Sequence, residues 1–278
     1  MFILVGCERR NTENLLMDVE SYIMERPDSA LSVLDTMNRA LLVTDRLKAH
    51  HALLHAMALD KNYIDVTDDS IANVAVNYYS RKGPEKYKTR SLYYLGLSYY
   101  YAKDYDNAII EFTKAGKVAE KCDSLYWGMT MSLQSDTYSK THNDIEALSS
   151  LQKSYDIFSE LSHEYYMNVT KLNLSKLYYN NNDIYKADSL LNELLSSERI
   201  NTKIRATSLK SKAFRMVSKQ ESEMLKAIEL YESLIDEYSA SYMSYQDYWA
   251  YAYALSNCGR ESESQNIISQ LLQIDTST

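Results

Sequence analysis

Proline and glycine are scarce: 2 and 6 residues in a chain of 278. A sheet protein of this length needs many tight turns, and those depend on residues that fix φ or tolerate positive values. The shortage therefore points away from an all-β design and toward long uninterrupted helices. Basic charge is also short. Lys+Arg 30 against Asp+Glu 38 leaves a net charge of −8 with a pI near 5.2, which speaks against a nucleic-acid partner, since phosphate binding calls for a basic face. The three cysteines, Cys7, Cys122 and Cys258, are too scattered for a disulfide framework or a zinc spacing. Cys122 and Cys258 read as small buried residues. No stretch past the first residues approaches the ~20 apolar residues of a membrane span. Also missing are a Gly-x-Ser-x-Gly elbow and a phosphate-cradling Gly-rich loop, and no acid–base pair stands out among the 38 acidic residues. The expectation is a non-enzymatic helical protein with no cofactor and no metal.

What is present is apolar surface and tyrosine. Hydrophobic residues make up 45% of the chain, enough for a sizeable core. Tyrosine numbers 26 against 4 Phe and 2 Trp. Most aromatic area therefore carries a hydroxyl that needs a partner, and such rings sit half-buried between helices or line a recognition surface. His50, His51 and His55 cluster, with His51 and His55 one turn apart. Ala52 stands where the zinc-protease motif has Glu, and no Cys or carboxylate nearby completes a tetrahedral set, so they read as partly buried helix histidines. Asp65, Asp68 and Asp69 lack the twelve-residue calcium loop and read as helix caps, as does Asp183 after Asn180-Asn181-Asn182.

Helical periodicity is clearest from Leu92 to Glu120. Leu92, Leu95, Gly96 and Tyr99 fall on one helical face; Asp104 follows at a turn, placed to cap the next helix; Ala108, Phe112 and Ala115 then share a second face. Small residues at 96 and 108 let two helices approach closely. The small position recurs at Ala147, Ala187, Ala227 and Ser264, in steps of 39, 40, 40 and 37 from Ala108. In the fourth of these units Phe214 takes the place of a packed first-helix residue. Before residue 85 the pattern is looser. Leu15 to Glu25 reads as a helix and Pro27-Asp28 opens a second. Thr44 or Asp45 caps a third through Leu59, and Asp68 or Asp69 a fourth through Tyr79, stopped by Gly83-Pro84.

Leu95-Gly96, Tyr99, Asp104-Tyr105, Ala108, Phe112 and Ala115 together resemble the tetratricopeptide repeat, an antiparallel helix pair of ~34 residues. Glu120 stands where the family has Pro, which predicts a longer second helix in this unit. The resemblance implies an all-α fold, a right-handed α-solenoid of about seven antiparallel helix pairs, running as one continuous domain over 14–278. Pro27-Asp28-Ser29-Ala30-Leu31 and Ala58-Leu59-Asp60-Lys61-Asn62-Tyr63 are similar to phrases in tetratricopeptide lipoproteins of the Bacteroidota.

Residues 1–13 read separately. An apolar start runs into Leu4-Val5-Gly6-Cys7, which resembles the lipobox of bacterial lipoproteins, with Cys7 as the lipidated residue and the polar stretch 8–14 as a tether. No basic segment precedes the run and it is short for a signal peptide. This leaves open whether Met1 is the true start, or whether the run is an apolar terminus without function. The resemblance implies anchoring in the bacterial cell envelope, facing the periplasm or on the outer membrane; a spurious lipobox implies a cytoplasmic protein.

In tetratricopeptide proteins the first helix of each pair lines a concave, partner-binding face. That implies a protein or peptide partner and puts Tyr93, Leu97, Tyr100 and Tyr101 inward in the best repeat, Leu172, Lys176, Tyr179 and Asn180 in the fifth pair, and Trp249, Tyr253 and Asn257 in the last. The Lys/Asn clamp that some relatives use for a C-terminal carboxylate is not reproduced at Tyr93 and Leu97 or at Leu172 and Lys176. Two alternatives stand beside a protein scaffold. One is a glycan-binding lipoprotein using Trp127, Trp249 and exposed tyrosines as stacking platforms; the other is the sensory fragment of a signalling protein.

Overall fold

The computed structural model describes residues 2–217 and 220–275, with side chains for 11–217, 220–239 and 241–271. The described residues are all-α, with no strand. Fourteen α-helices follow in order: α1 (Phe2–Tyr22), α2 (Pro27–Thr36), α3 (Asp45–Lys61), α4 (Ser70–Tyr79), α5 (Glu85–Tyr101), α6 (Tyr105–Cys122), α7 (Ser124–Lys140), α8 (Asp144–Glu160), α9 (Glu164–Asn180), α10 (Ile184–Ser196), α11 (Thr202–Met216), α12 (Glu221–Tyr238), α13 (Tyr245–Asn257) and α14 (Glu261–Asp275). Short 3-10 turns occur at Arg39–Leu41 and Ala240–Tyr242. The chain divides into two compact units, Met1–Ser162 and His163–Thr278.

The helices begin and end for identifiable reasons. Asp104, Asp183 and Thr44 each accept a hydrogen bond from the backbone amide three residues on, at 3.3, 3.2 and 3.2 Å, satisfying amides that have no partner in a helical first turn. Pro27 occupies the first turn of α2, where its missing amide is no loss. Asp68 accepts from Ser70 at 2.6 Å ahead of α4. One turn recurs. After α5, α7, α9 and α13 a residue takes left-handed φ (Lys103 62°, His142 60°, Asn182 61°, Gly259 75°), and the next amide donates back to the carbonyl five residues earlier at 2.8–2.9 Å. This is the Schellman closure, which ends a helix and reverses the chain within three residues. The expected extension of the second helix in the best repeat is slight: α6 has 18 residues against 17 in α8, because Asp123 stops it by capping α7.

The recurring small residues sit where the pattern put them. Ala108, Ala147, Ala187 and Ala227 are fully buried, and Ser264 is buried with its hydroxyl donating to the Ala252 carbonyl at 2.8 Å. Gly96 shows why size matters. A Cβ there would lie 2.7 Å from the Phe112 ring, and one at Gly128 would lie 2.7 Å from Phe158, so each ring rests directly on helix backbone.

The first unit is held by aromatic packing and a half-buried ionic network. Tyr93 stands edge-on to Tyr94 and Tyr126 at 5.0 and 5.2 Å, and the Tyr94 and Tyr126 hydroxyls pair at 3.1 Å. Glu20 of α1 meets His50 Nε2 at 3.1 Å, the Tyr87 hydroxyl at 2.7 Å and Arg90 at 3.6 Å, and Arg90 continues to Asp123 at 3.1 Å. Burial alone would raise the Glu20 pKa. The hydrogen bonds with His50 and Tyr87 and the charges of His50 and Lys86 outweigh it and hold the carboxyl at about 2. The histidines are thus tie points: His51 Nε2 lies 3.0 Å from the Leu34 carbonyl and His55 Nε2 2.8 Å from Asp35. In the second unit, Tyr231, Leu234, Ala227, Ala254 and Leu255 form a core among α11, α12 and α13.

Two expectations are corrected. Cys122 is exposed and Cys258 half-buried rather than fully buried, because both fall at helix C-termini. The first helix starts well before Leu15. Cys7 lies among the first ten residues, whose side chains are outside the described set.

Candidate functional site

The strongest candidate is an open groove of about 760 Å³ in the second unit, lined by three successive first helices. Lys176, Tyr179 and Asn180 come from α9; Lys210, Ser211, Phe214 and Arg215 from α11; Ser244, Gln246 and Asp247 from the start of α13. Local sequence fixes these helices. Asn201 caps α11 by accepting from Lys203 at 2.9 Å, and Ser244 with Asp247 forms a reciprocal capping box on α13.

Arg215 is the fixed point of the groove. It is 5% exposed, and Nη2 donates to both the Ser175 carbonyl and Ser175 Oγ at 2.9 Å. Nη1 lies 3.4 Å from Asp188, and the guanidinium carbon sits 4.6 Å over the Tyr179 ring. Burial pulls its pKa below the ordinary arginine value while Asp188 opposes the shift; a guanidinium stays charged regardless. Lys210 donates to Asp247 Oδ2 at 3.0 Å. Phe214 is 45% exposed, offering an apolar face beside these charges.

The structure divides the residues expected at the binding face. Lys176, Tyr179 and Asn180 come together in the groove. Trp249, Tyr253 and Asn257 are exposed and follow Gln246 at three, seven and eleven residues, continuing its face along α13. Tyr93 and Leu97 are corrected: both are core residues. Tyr93 is wedged against Tyr94, Phe112 and Tyr126, and Leu97 lies in a narrow apolar crevice with Leu59, Ile64, Val66 and Ile71. Leu172 is buried as well. Tyr100 and Tyr101 are half-buried. Burial and a hydrogen bond to Asp136 raise the Tyr100 hydroxyl well above its ordinary pKa, and burial with nearby Asp60 and Asp65 raises Tyr101 to about 12. Trp127 is covered by the Lys153 ammonium 4.8 Å from its ring centre. Among the described residues no His/Cys/Asp/Glu group has metal-site geometry.

Sequence reasoning passed over Lys210, Phe214 and Arg215. Phe214 was expected to pack, yet it faces the groove. A signal existed: stepping 38 residues from Leu172 and Lys176 lands on Lys210 and Phe214, the same places on the next first helix.

Comparison with known proteins agrees with the architecture. A tetratricopeptide repeat profile matches residues 90–118. Comparison with curated proteins finds no match. Similar solved structures include the apo form of the quorum sensor NprR from B. thuringiensis, at 11% identity over 97% of this chain and 75% of that one, with TM-score 0.70. Others are a signal transduction ATPase with a tetratricopeptide repeat sensor from Pyrococcus horikoshii (14%, 96% and 44%, TM-score 0.68) and aspartyl phosphate phosphatase F from Bacillus subtilis (14%, 98% and 71%, TM-score 0.64). Identities this low carry the fold alone. One tetratricopeptide repeat is thus matched in sequence, and the described residues share a tetratricopeptide-like fold of antiparallel helix pairs.

Proposed function

We propose that this chain is a non-catalytic scaffold that binds an extended segment of another protein in the groove of its second unit. The observation that carries the reading is the groove itself: rings (Tyr179, Phe214), amides (Asn180, Gln246) and fixed charges (Lys210, Arg215) presented side by side from three helices. Rings supply contact area at low entropic cost, and amides reach a peptide backbone. Two of the similar structures are described as sensors, which fits a recognition role for this fold. A glycan site is less well supported, since Trp127 lies under Lys153 and no indole lines the groove. The test is site-specific photo-crosslinking in cells. A benzophenone side chain at Asn180 or Gln246 should trap a discrete protein partner, while one at Lys226 on α12 should not. Equal trapping at all three positions, or none in the groove, would remove the basis for the reading.

We also propose a lipid anchor at Cys7, placing the protein in a bacterial envelope in the manner of Bacteroidota lipoproteins. The support is the Leu4-Val5-Gly6-Cys7 sequence followed by a polar stretch, which lies within helix α1. No helix among the described residues is long and apolar enough to cross a membrane. Cys7→Ser should move the protein from the membrane to the soluble fraction and abolish labelling by an alkyne fatty acid. Unchanged labelling would exclude lipidation there.

A further inference from the structure

We infer that the segment held in the groove of the second unit is proline-rich and uncharged, bound as a polyproline II strand across α9, α11 and α13. The inference deepens the scaffold reading and rests on it.

Charge complementarity argues for a neutral occupant. Lys210 already meets Asp247 at 3.0 Å, and Arg215 is held by Asp188 at 3.4 Å and by the Ser175 carbonyl at 2.9 Å. Lys176 also has a partner of its own within the protein. A charged segment entering the groove would lose water and find its counter-charges taken. The lining's one carboxylate is spent as well. Asp247 Oδ2 accepts from the Ser244 amide at 2.8 Å and the Ser244 hydroxyl at 2.5 Å in addition to Lys210.

What the surface offers is aromatic area and hydrogen-bond donors. Phe214 is 45% exposed in the groove, and Trp249 and Tyr253, 42% and 56% exposed, continue the face of α13 beyond Gln246. The indole N–H and the amides of Asn180 and Gln246 are donors. Proline has no N–H to satisfy, and polyproline II has no internal hydrogen bonds, so its carbonyls are free to accept. Such a segment brings acceptors and few donors, which suits a lining whose carboxylate is occupied. Its rings pack on aromatic faces, and its stiffness keeps the ordering cost of binding low. The spacing agrees: α11 is in contact with both α9 and α13, packed helices lie about 8–10 Å apart, and one polyproline II turn advances about 9 Å. Successive helices therefore meet the same edge of the strand.

The test is a selection of random dodecapeptides displayed on phage against the full chain, followed by binding measurements with synthetic versions of the enriched peptides. Enrichment in Pro is expected. Phe214→Ala, Trp249→Ala, and separately replacement of the peptide's prolines by Ala, should each weaken binding by about tenfold, while Trp249→Phe should retain most of it. Raising the salt concentration should change binding by about twofold at most. Thermal melts verify folding; if Trp249→Ala melts early, the exposed Tyr253→Ala should still weaken binding severalfold. Enriched peptides without proline that lose binding with Phe214→Ala would overturn the proline preference and leave the scaffold reading intact. Charged peptides whose binding falls steeply with salt and is lost with Phe214→Ala would do the same. No enrichment, or peptides indifferent to every groove variant, would overturn both.

Discussion

Helix α5 of the first unit and helices α11 and α13 of the second present corresponding positions in opposite ways, whereas Leu172 of α9 is buried as in α5. In α5, Tyr93 and Leu97 are 5% and 6% exposed; in α11 and α13, Phe214 and Tyr253 are 45% and 56% exposed. Repeat register does not explain this difference, because each residue occupies a similar place on its helix. Neighbouring structure does. In the first unit the segment after α3 brings Ile64 and Val66 over Leu97, and the Tyr94–Tyr126 pair closes around Tyr93. The second unit leaves its stripe open and places fixed charges beside it. One repeat framework thus serves as core in one region and as open surface in the other, and six substitutions probe that contrast.

The largest effect is expected in the first unit. Phe112 is fully buried with its ring against Gly96, so Phe112→Ala should cost about 3–5 kcal/mol in urea unfolding. Phe214→Ala, on the exposed stripe, should cost no more than about 0.5 kcal/mol. Similar costs for the two would erase the distinction between packed and presented aromatic rings.

The next effect is electrostatic and again confined to the first unit. Glu20 titrates at about 2 in the folded state against an ordinary value of 4.5. A depressed acid stabilises the fold above its unfolded pKa, and that contribution is lost as pH falls from about 4.5 to about 2. Glu20→Gln should therefore cost on the order of 2 kcal/mol at neutral pH and flatten the fall in stability across that acid window. A variant whose pH profile parallels the wild type would show that Glu20 is not the ionised hub of the network.

The framework was legible in the sequence and much of the surface was not. Ala108, Ala147, Ala187 and Ala227 announce the stack because close helix packing tolerates only small side chains at that place. Asp104 and Asp183 announce helix starts because their side chains reach only the amides that follow them. The burial of Tyr93 and Leu97 depends on residues 30 or more positions away in sequence, such as Leu59, Ile64 and Tyr126, so no local pattern reveals it. The groove was half legible: Lys176, Tyr179 and Asn180 follow from helix register, but Lys210 and Arg215 sit in a polar helix whose periodicity gives no prompt. Arg215 gains its meaning only from Ser175 and Asp188, 40 and 27 residues earlier.

A smaller effect is expected inside the second unit's own core. The Tyr231 hydroxyl is buried without a hydrogen-bond partner, and its ring packs against Tyr251 at 5.4 Å. Burying an unsatisfied hydroxyl is unfavourable, so Tyr231→Phe should raise stability by about 1 kcal/mol. A loss of stability would mean that the hydroxyl makes a bond, and the second unit's core would then resemble the first, where the tyrosine hydroxyls are paired.

The smallest expected effect on folding is also the one that most sharpens the contrast. Trp249 and Tyr253 are 42% and 56% exposed, and the indole's ring neighbour is Tyr245, 6.2 Å away and itself half in solvent. Trp249→Ala and Tyr253→Ala should each shift unfolding by no more than about 0.5 kcal/mol. Large aromatic residues held at a surface with so little folding benefit are the kind that contribute most when a partner covers them. The same two variants should therefore reduce crosslinking yield from Gln246, which shares their helix face, while leaving the melting curve in place. If instead both melt early, this stripe packs as the α5 stripe does, and the second unit presents no surface that the first does not.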